Sequence, residues 1–171
     1  MPRRTLILGG ARSGKSRRAE RLAAEQPLPV CYVATAAADP RDPEMARRIQ
    51  SHRSRRPAAW QTVEAPLALP EAVAGAEEGR LLLVDCLTLW LGNLLLHDPA
   101  SIPSRRAALC RAVAAREEPI ILVSSEVGAG IVPDHPAGRA FRDAQGELNQ
   151  EVAALCDRVE LIVAGLPLRL V

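Results

Sequence analysis

The chain has 171 residues, nearly half of them apolar, with a formal net charge of +2 and only four aromatic side chains. That length suits one domain, and that apolar share can fill its core. The balanced charge and the few aromatics offer neither the basic footprint nor the stacking platform that extended nucleic-acid binding needs.

The apolar stretches are too often broken to span a membrane, and no signal peptide opens the sequence, so a soluble cytoplasmic protein is expected. Cys31, Cys86, Cys110 and Cys156 are widely spaced with no C-x-x-C pair. Cys31 and Cys86 fall in strand-like runs and Cys110 and Cys156 in helix-like ones, which predicts small buried hydrophobes. Arginine is so abundant that a single one carries little functional meaning.

Taken in chain order, Thr5-Leu6-Ile7-Leu8 reads as a short buried strand and 16–25 as a helix. A second strand is predicted over 30–34. A helix follows over 43–55, with Asp42 as its cap, Pro43 at its first position and Glu44 at its positive end. Thr62-Val63 gives a short strand. Leu81-Leu82-Leu83-Val84 is a continuous apolar run ending at Asp85, as in a central parallel strand. Helices are predicted over 87–96 and 104–116, with 99–103 as a short loop. The strand 120–123 ends near Glu126, and a long helix covers 138–156. Strands 159–163 and 168–171 pair around Gly165-Leu166-Pro167. This alternation predicts an α/β fold with a mostly parallel sheet, its ligands at the carboxyl ends of the strands. Lys15, Thr35, Asp85 and Glu126 each follow a strand and are expected on that one edge.

Lys15 is the only lysine of the chain, and it stands in Gly9-Gly10-Ala11-Arg12-Ser13-Gly14-Lys15-Ser16. This fits the phosphate-binding pattern G-x-x-x-x-G-K-[S/T] between a strand and a helix. Backbone N–H groups there turn toward phosphate oxygens at the positive end of the helix. Lysine supplies a compact point charge where a planar guanidinium fits poorly. Ser16 is the expected Mg²⁺ ligand. Asp85 stands where such proteins place a second acidic group for the metal shell, the competing role being a cap for the helix that starts at Leu87.

His52 lies in the cation-dense run 47–57. Helical spacing puts Arg48, His52, Arg55 and Arg56 on one face. Surrounding cations would keep the imidazole neutral and hold a triphosphate, which suits nucleophilic attack on phosphorus. By spacing alone, a charge run on a helix is first of all a solvated face. His97 and His135 sit in loop contexts without metal-ligand spacing and read as surface residues. The glycine-rich 125–133 reads as a mobile loop after a strand, suited to close over a substrate. Arg139 and Arg142 follow one turn apart, within reach of a phosphate or simply on the surface.

Several segments together resemble the bifunctional adenosylcobinamide kinase/adenosylcobinamide-phosphate guanylyltransferase family of cobalamin biosynthesis. They are GGARSGKS at 9–16, YVATA at 32–36, EMARRIQSHRSRRPAAWQTVEAP at 44–66, LLLVDCLTLWLGNLL at 81–95, VSSEVGAGIVP at 123–133 and RAFRDAQGELNQEVA at 139–153. The H-R-x-x-R-P-x-x-W-x-T-x-E run is the most specific of them. The resemblance implies a RecA-like P-loop fold over 1–171 as one nucleotide-binding domain, with an antiparallel C-terminal strand, and a homotrimer. It implies that ATP or GTP phosphorylates the cobinamide hydroxyl, and that GTP then donates GMP through a guanylylated histidine, which matches His52. Lys15 would serve the phosphoryl step, and Ser16 and Asp85 would hold Mg²⁺. Gly9, Gly10, Ala11, Arg12, Ser13, Gly14, Lys15, Ser16, Ala34, Thr35, Ala36, Arg53, Ser54, Arg55, Arg56, Glu64 and Asp85 would form the nucleotide site. No nucleic acid or membrane partner is implied. The chain departs from some relatives at Ser51, where a histidine can stand, at Ser125, where Asn is common, and at Asp85, where Glu occurs. A monofunctional small-molecule P-loop kinase and a nucleotide-dependent switch or assembly ATPase are the competing readings.

Overall fold

Short apolar runs separated by amphipathic ones build a central sheet covered on both faces. The computed structural model describes residues 2–36 and 42–171, the side chain of Arg48 excepted. Strands β1 (Arg4–Gly9), β2 (Val30–Ala34), β3 (Gln61–Glu64), β4 (Leu81–Asp85), β5 (Ile120–Ser125), β6 (Arg158–Val163) and β7 (Leu166–Arg169) lie in the order β3-β2-β4-β5-β1-β6-β7. All neighbours are parallel except β6 and β7. The helices are α1 (Lys15–Ala24), α2 (Pro43–Arg55), α3 (Leu69–Ala74), α4 (Leu87–His97), α5 (Ile102–Ala115) and α6 (Pro136–Ala153). This is the mostly parallel α/β arrangement expected, with β5 set between the phosphate-loop strand and the Asp85 strand.

Alternation along each strand divides the core in two. Leu6, Val33, Leu82, Val84, Ile120 and Leu122 face one side, where α3, α4, α5 and α6 cover them. Ile7, Tyr32, Leu81, Leu83, Ile121 and Val123 face the other, under Ala19, Leu22 and Ala23 of α1. Fully buried side chains such as Leu82, Leu122 and Leu91 each contribute about 1.5–3 kcal/mol by leaving water. Trp90, also fully buried, satisfies its ring N–H on Leu67 O at 3.0 Å.

Helix α2 differs from the rest. Among its described side chains none is buried, so it lies over the sheet edge rather than in the core. Its start is fixed by Asp42, which accepts from Met45 N at 2.9 Å.

Several boundaries depart from the sequence reading. Helix α3 is absent from it, since six residues leave no room for periodicity. Pro99–Ser101 form a 3-10 turn that runs into α5 at Ile102, where Pro103 is tolerated in the first turn. Helix α6 starts at Pro136 because His135 caps it, its Nδ1 accepting from Gly138 N at 3.0 Å. The β6–β7 turn is Ala164-Gly165, with φ of 51° and 80°, rather than Gly165-Leu166-Pro167. Both residues at positive φ match a two-residue hairpin turn. Pro167 sits on the edge strand, where a missing N–H is tolerated.

All four cysteines are free: Cys31 and Cys86 are buried, Cys110 and Cys156 half-buried. Burial pushes the Cys86 thiol up to about 11 and that of Cys156 to about 12. Cys86 belongs to no strand; it is the first residue outside α4, and the peptide joining it to Asp85 is cis.

Candidate active site

The carboxyl ends of β1, β2 and β4 open into a cavity of about 750 Å³. The phosphate loop forms its floor. Gly14 takes φ 97°, which a side chain would strain, and starts α1. Gly9 allows close approach: a Cβ there would stand 2.4 Å from Ser13 Oγ and 2.9 Å from Ile162 O. Lys15 Nζ donates to Gly10 O at 3.1 Å, folded back along its own loop. The hairpin turn braces this loop, with Gly165 N donating to Ser13 O at 3.0 Å.

Asp85 is the hub. Its Oδ1 accepts from Ser16 Oγ at 3.2 Å and its Oδ2 from Tyr32 OH at 2.8 Å. His52 Nδ1 lies 3.4 Å from the same Oδ2. Burial opposes ionisation of this carboxyl, but the bonds from His52, Tyr32 and Ser16 together hold it below the usual carboxylate range. Burial and the Asp85 charge push the Tyr32 phenol well up, so it stays a donor. Asp85 caps nothing: Cys86 occupies the N-cap of α4. A hydroxyl and a nearly buried carboxylate at the head of the phosphate loop form a hard-oxygen donor pair of the kind Mg²⁺ takes.

Helix α2 forms the opposite wall. His52 Nδ1 lies 3.3 Å from Arg55 Nη2 and 3.9 Å from Glu20 Oε1, besides Asp85. Two carboxylates against one guanidinium favour the proton on Nδ1, which leaves the lone pair on Nε2. Helical spacing along α2 places only cations around this ring. The carboxylates come from α1 and β4, which local spacing along α2 does not reveal. Arg56 also leaves the expected face. It is the extended residue that ends α2, and its guanidinium lies 3.4 Å over the Tyr32 ring. Arg53 Nη2 donates to Glu64 Oε1 at 2.6 Å across the cavity mouth. The Arg48 side chain lies outside the described residues.

The expected residues Arg12, Ser13, Gly14, Lys15, Ser16, Ala34, Ala36, His52, Arg53, Arg55, Arg56, Glu64 and Asp85 line the cavity together. Gly9, Gly10, Ala11, Thr35 and Ser54 are not on its wall. Thr35 is buried: its hydroxyl donates to Cys86 O at 2.7 Å and accepts from Cys86 N at 2.8 Å, which ties β2 to the start of α4. Ser54 Oγ turns back onto Ser51 O. Glu126 is exposed and accepts from Gly128 N within its own loop, while Ser125 before it reaches the cavity. Arg139 and Arg142 grip the 126–135 loop through Pro133 O, Asp134 O and Gly128 O rather than facing the cavity. Sequence reasoning missed Tyr32, Arg17, Thr88 and Glu20. Tyr32 and Thr88 lie inside the matching segments 32–36 and 81–95, and Glu20 stands one helical turn beyond Ser16.

The chain matches known proteins along nearly its whole length. The family described as cobinamide kinase / cobinamide phosphate guanyltransferase matches residues 5–170. The bifunctional adenosylcobalamin biosynthesis protein CobP of Pseudomonas aeruginosa is 56% identical over 169 residues, 98% of this chain and 96% of that protein. The bifunctional adenosylcobalamin biosynthesis protein CobU of Salmonella typhimurium is 38% identical over 180 residues, 96% of this chain and 98% of that protein. Among solved structures, a prototypical ATPase from the type III secretion system of pathogenic bacteria superposes with a TM-score of 0.58 at 14% identity. The match covers 93% of this chain and 50% of that one, a likeness of fold alone. On the combined weight of the family match, these identities and the phosphate-loop architecture, the chain belongs to the cobinamide kinase / cobinamide phosphate guanyltransferase family.

Proposed function

We propose that residues 1–171 act as one domain that first phosphorylates adenosylcobinamide with ATP or GTP and then transfers GMP from GTP to the product through His52. The observation that carries this reading is the meeting of His52 with Asp85 in the cavity floored by the phosphate loop.

In the first reaction the substrate hydroxyl oxygen gives up its proton to water as it bonds the γ-phosphorus, and the bridge to the β-phosphate breaks with its electron pair leaving on the nucleoside diphosphate. Lys15 and the loop N–H groups neutralise the charge that develops there. Ser16 and Asp85 would hold Mg²⁺, which offsets phosphate charge when bound.

In the second reaction His52 Nε2 bonds the α-phosphorus of GTP, and the α–β bridge breaks to release pyrophosphate. An oxygen of adenosylcobinamide phosphate then bonds the same phosphorus, and the N–P electron pair returns to Nε2. The Nδ1 proton stays on the ring throughout, facing the carboxylates of Asp85 and Glu20. Arg53, Arg55 and Arg56 balance the triphosphate. The α- and γ-phosphorus atoms must each reach a reacting group, and α2, with no buried side chain among those described, is free to shift between the two arrangements.

The chain is proposed to work in the cytoplasm as a homotrimer; no helix among the described residues is long and apolar enough to cross a membrane. The apolar helix α4 buries Leu87, Trp90, Leu91 and Leu94 in its own core. Exposed apolar side chains gather instead at the β6–β7 hairpin and after it, at Val163, Leu166, Leu168 and Leu170. A second copy would find its apolar contact there.

The test is incubation with Mg²⁺ and GTP labelled at the α-phosphorus, denaturation and peptide mapping. Label on His52, stable to mild alkali and lost in acid, is the expected result, and His52→Asn should abolish it while keeping part of the kinase reaction. Label on His97 or His135, or an unchanged adduct in His52→Asn, would refute the assignment. Kinase turnover with no adduct at all would favour a plain P-loop kinase.

A further inference from the structure

We propose that Glu20 is a positioning residue for the guanylyl step, holding Arg55 and His52 in the attitude from which Nε2 meets phosphorus. The proposal rests on the guanylyl-histidine reading above.

Glu20 lies four residues after Ser16 on α1, so the two share one face of that helix. Its side chain is largely buried, yet it does not line the nucleotide cavity. It therefore acts through its neighbours and not on the nucleotide. Its two oxygens meet Arg55 as a fork, Oε1 3.3 Å from Nη2 and Oε2 3.4 Å from Nε. The same Oε1 lies 3.9 Å from His52 Nδ1. Among the described residues, Glu20 and Asp85 are the two carboxylates within ion-pair distance of that imidazole.

Asp85 has little to spare for His52. One of its oxygens is engaged with Ser16 and the other with Tyr32, and the imidazole is its most distant partner. Bonding Nε2 to phosphorus withdraws electrons from the ring and makes the Nδ1 N–H a stronger donor. Glu20 is the carboxylate that can answer it without giving up a tie to the phosphate loop. By fixing the Arg55 fork it also keeps that guanidinium beside the ring, where pyrophosphate charge develops.

The experiment compares the full chain with Glu20→Gln and Glu20→Asp. Two rates are read: adduct formation from α-labelled GTP in a single turnover at saturating nucleotide, and adenosylcobinamide phosphorylation from ATP. Glu20→Gln should lower the ratio of adduct rate to kinase rate by about 10- to 100-fold, the range that small misplacement of a reacting group produces. The GTP concentration for half-maximal adduct formation should move less than the rate does. Glu20→Asp should recover part of the loss, and it carries the same test should Glu20→Gln not fold. An unchanged ratio overturns the proposal, whether both rates persist or both fall together as a scaffold defect would make them. The wild-type chain is scored first. If it forms no adduct on His52, the histidine reading fails, an outcome distinct from an adduct that ignores Glu20.

Discussion

Gly9→Ala should weaken nucleotide binding through a clash that can be counted atom by atom. The new methyl would lie 2.4 Å from Ser13 Oγ, 3.2 Å from Ser13 Cβ and 2.9 Å from Ile162 O. The hydroxyl can rotate away cheaply, since Ser13 Oγ is buried with no hydrogen-bond partner among the described residues. The Ile162 carbonyl cannot, because β6 is paired with β1 on one side and β7 on the other. Gly9 itself is pinned, paired in register with Ser125 and Ile162 and accepting from Glu126 N at 3.1 Å. The strain must therefore pass into the loop. Overpacking of this kind costs about 1–3 kcal/mol. Displacing the phosphate cradle by several tenths of an ångström should cost about 10- to 100-fold in kinase kcat/KM. Urea unfolding and steady-state kinetics measure the two effects. Gly9→Ala/Ser13→Gly should recover only part of the stability, because the Ile162 contact remains. A single variant with wild-type midpoint and kinetics would refute the argument, and full recovery in the double variant would locate the strain at Ser13 alone.

Lys15→Ala should leave the fold intact and lower adenosylcobinamide phosphorylation by about 10² or more, roughly 3 kcal/mol of transition-state stabilisation; near-normal turnover would sink the phosphate-loop assignment. Arg18 forks onto the buried Glu160 at 2.8 and 2.9 Å, with Arg158 as the second partner. Arg18→Ala should destabilise by about 2 kcal/mol at pH 7, less than a fully broken buried pair because Arg158 remains. The bond from Arg18 holds the Glu160 carboxyl below its ordinary value. Its contribution is therefore complete above the unfolded-state pKa of about 4.3 and lost as pH falls through the lower folded value. The difference between wild type and Arg18→Ala in urea melts should shrink below about pH 4; a difference that grows on acidification would reverse the sign of the argument. Light scattering at micromolar concentration should give the mass of a trimer, and a monomer alone would refute that assembly.

The parts of the site legible in sequence were those whose function depends on adjacent residues. Gly9 to Ser16 run from the end of β1 through the phosphate loop into α1, and Asp42 caps α2 three residues from its partner. The α2 boundaries read from sequence, 43–55, agree with the structure for the same reason. What escaped depends on elements meeting across the sheet. Glu20 and Asp85 reach His52 from α1 and β4, so a local count of cations around the histidine misses both. Thr35 follows a strand as a ligand contact would, yet its hydroxyl serves a backbone pair on Cys86, fifty-one residues away. Arg139 and Arg142 read equally as phosphate contacts or plain surface residues, because a helix surface alone does not reveal which loop will lie across it. Short elements failed for want of length: α3 is too brief for a period, and the β6–β7 turn was placed at the proline rather than at two residues with positive φ.

The placement of β1 also bears on how the protein is made. This strand is made before the other six, but its two neighbours, β5 and β6, begin at residues 120 and 158. The Ala164-Gly165 turn that supports Ser13 comes later still. During most of synthesis the phosphate loop therefore has its full sequence but neither wall nor brace, and its closure waits on the most distant pairings of the chain, the slow kind. Nucleotide cannot help fold the emerging N-terminal part, because the shape it binds does not yet exist. A nascent chain halted before β6 would carry every residue of the loop but lack one of the two strands that flank it and the turn that braces it.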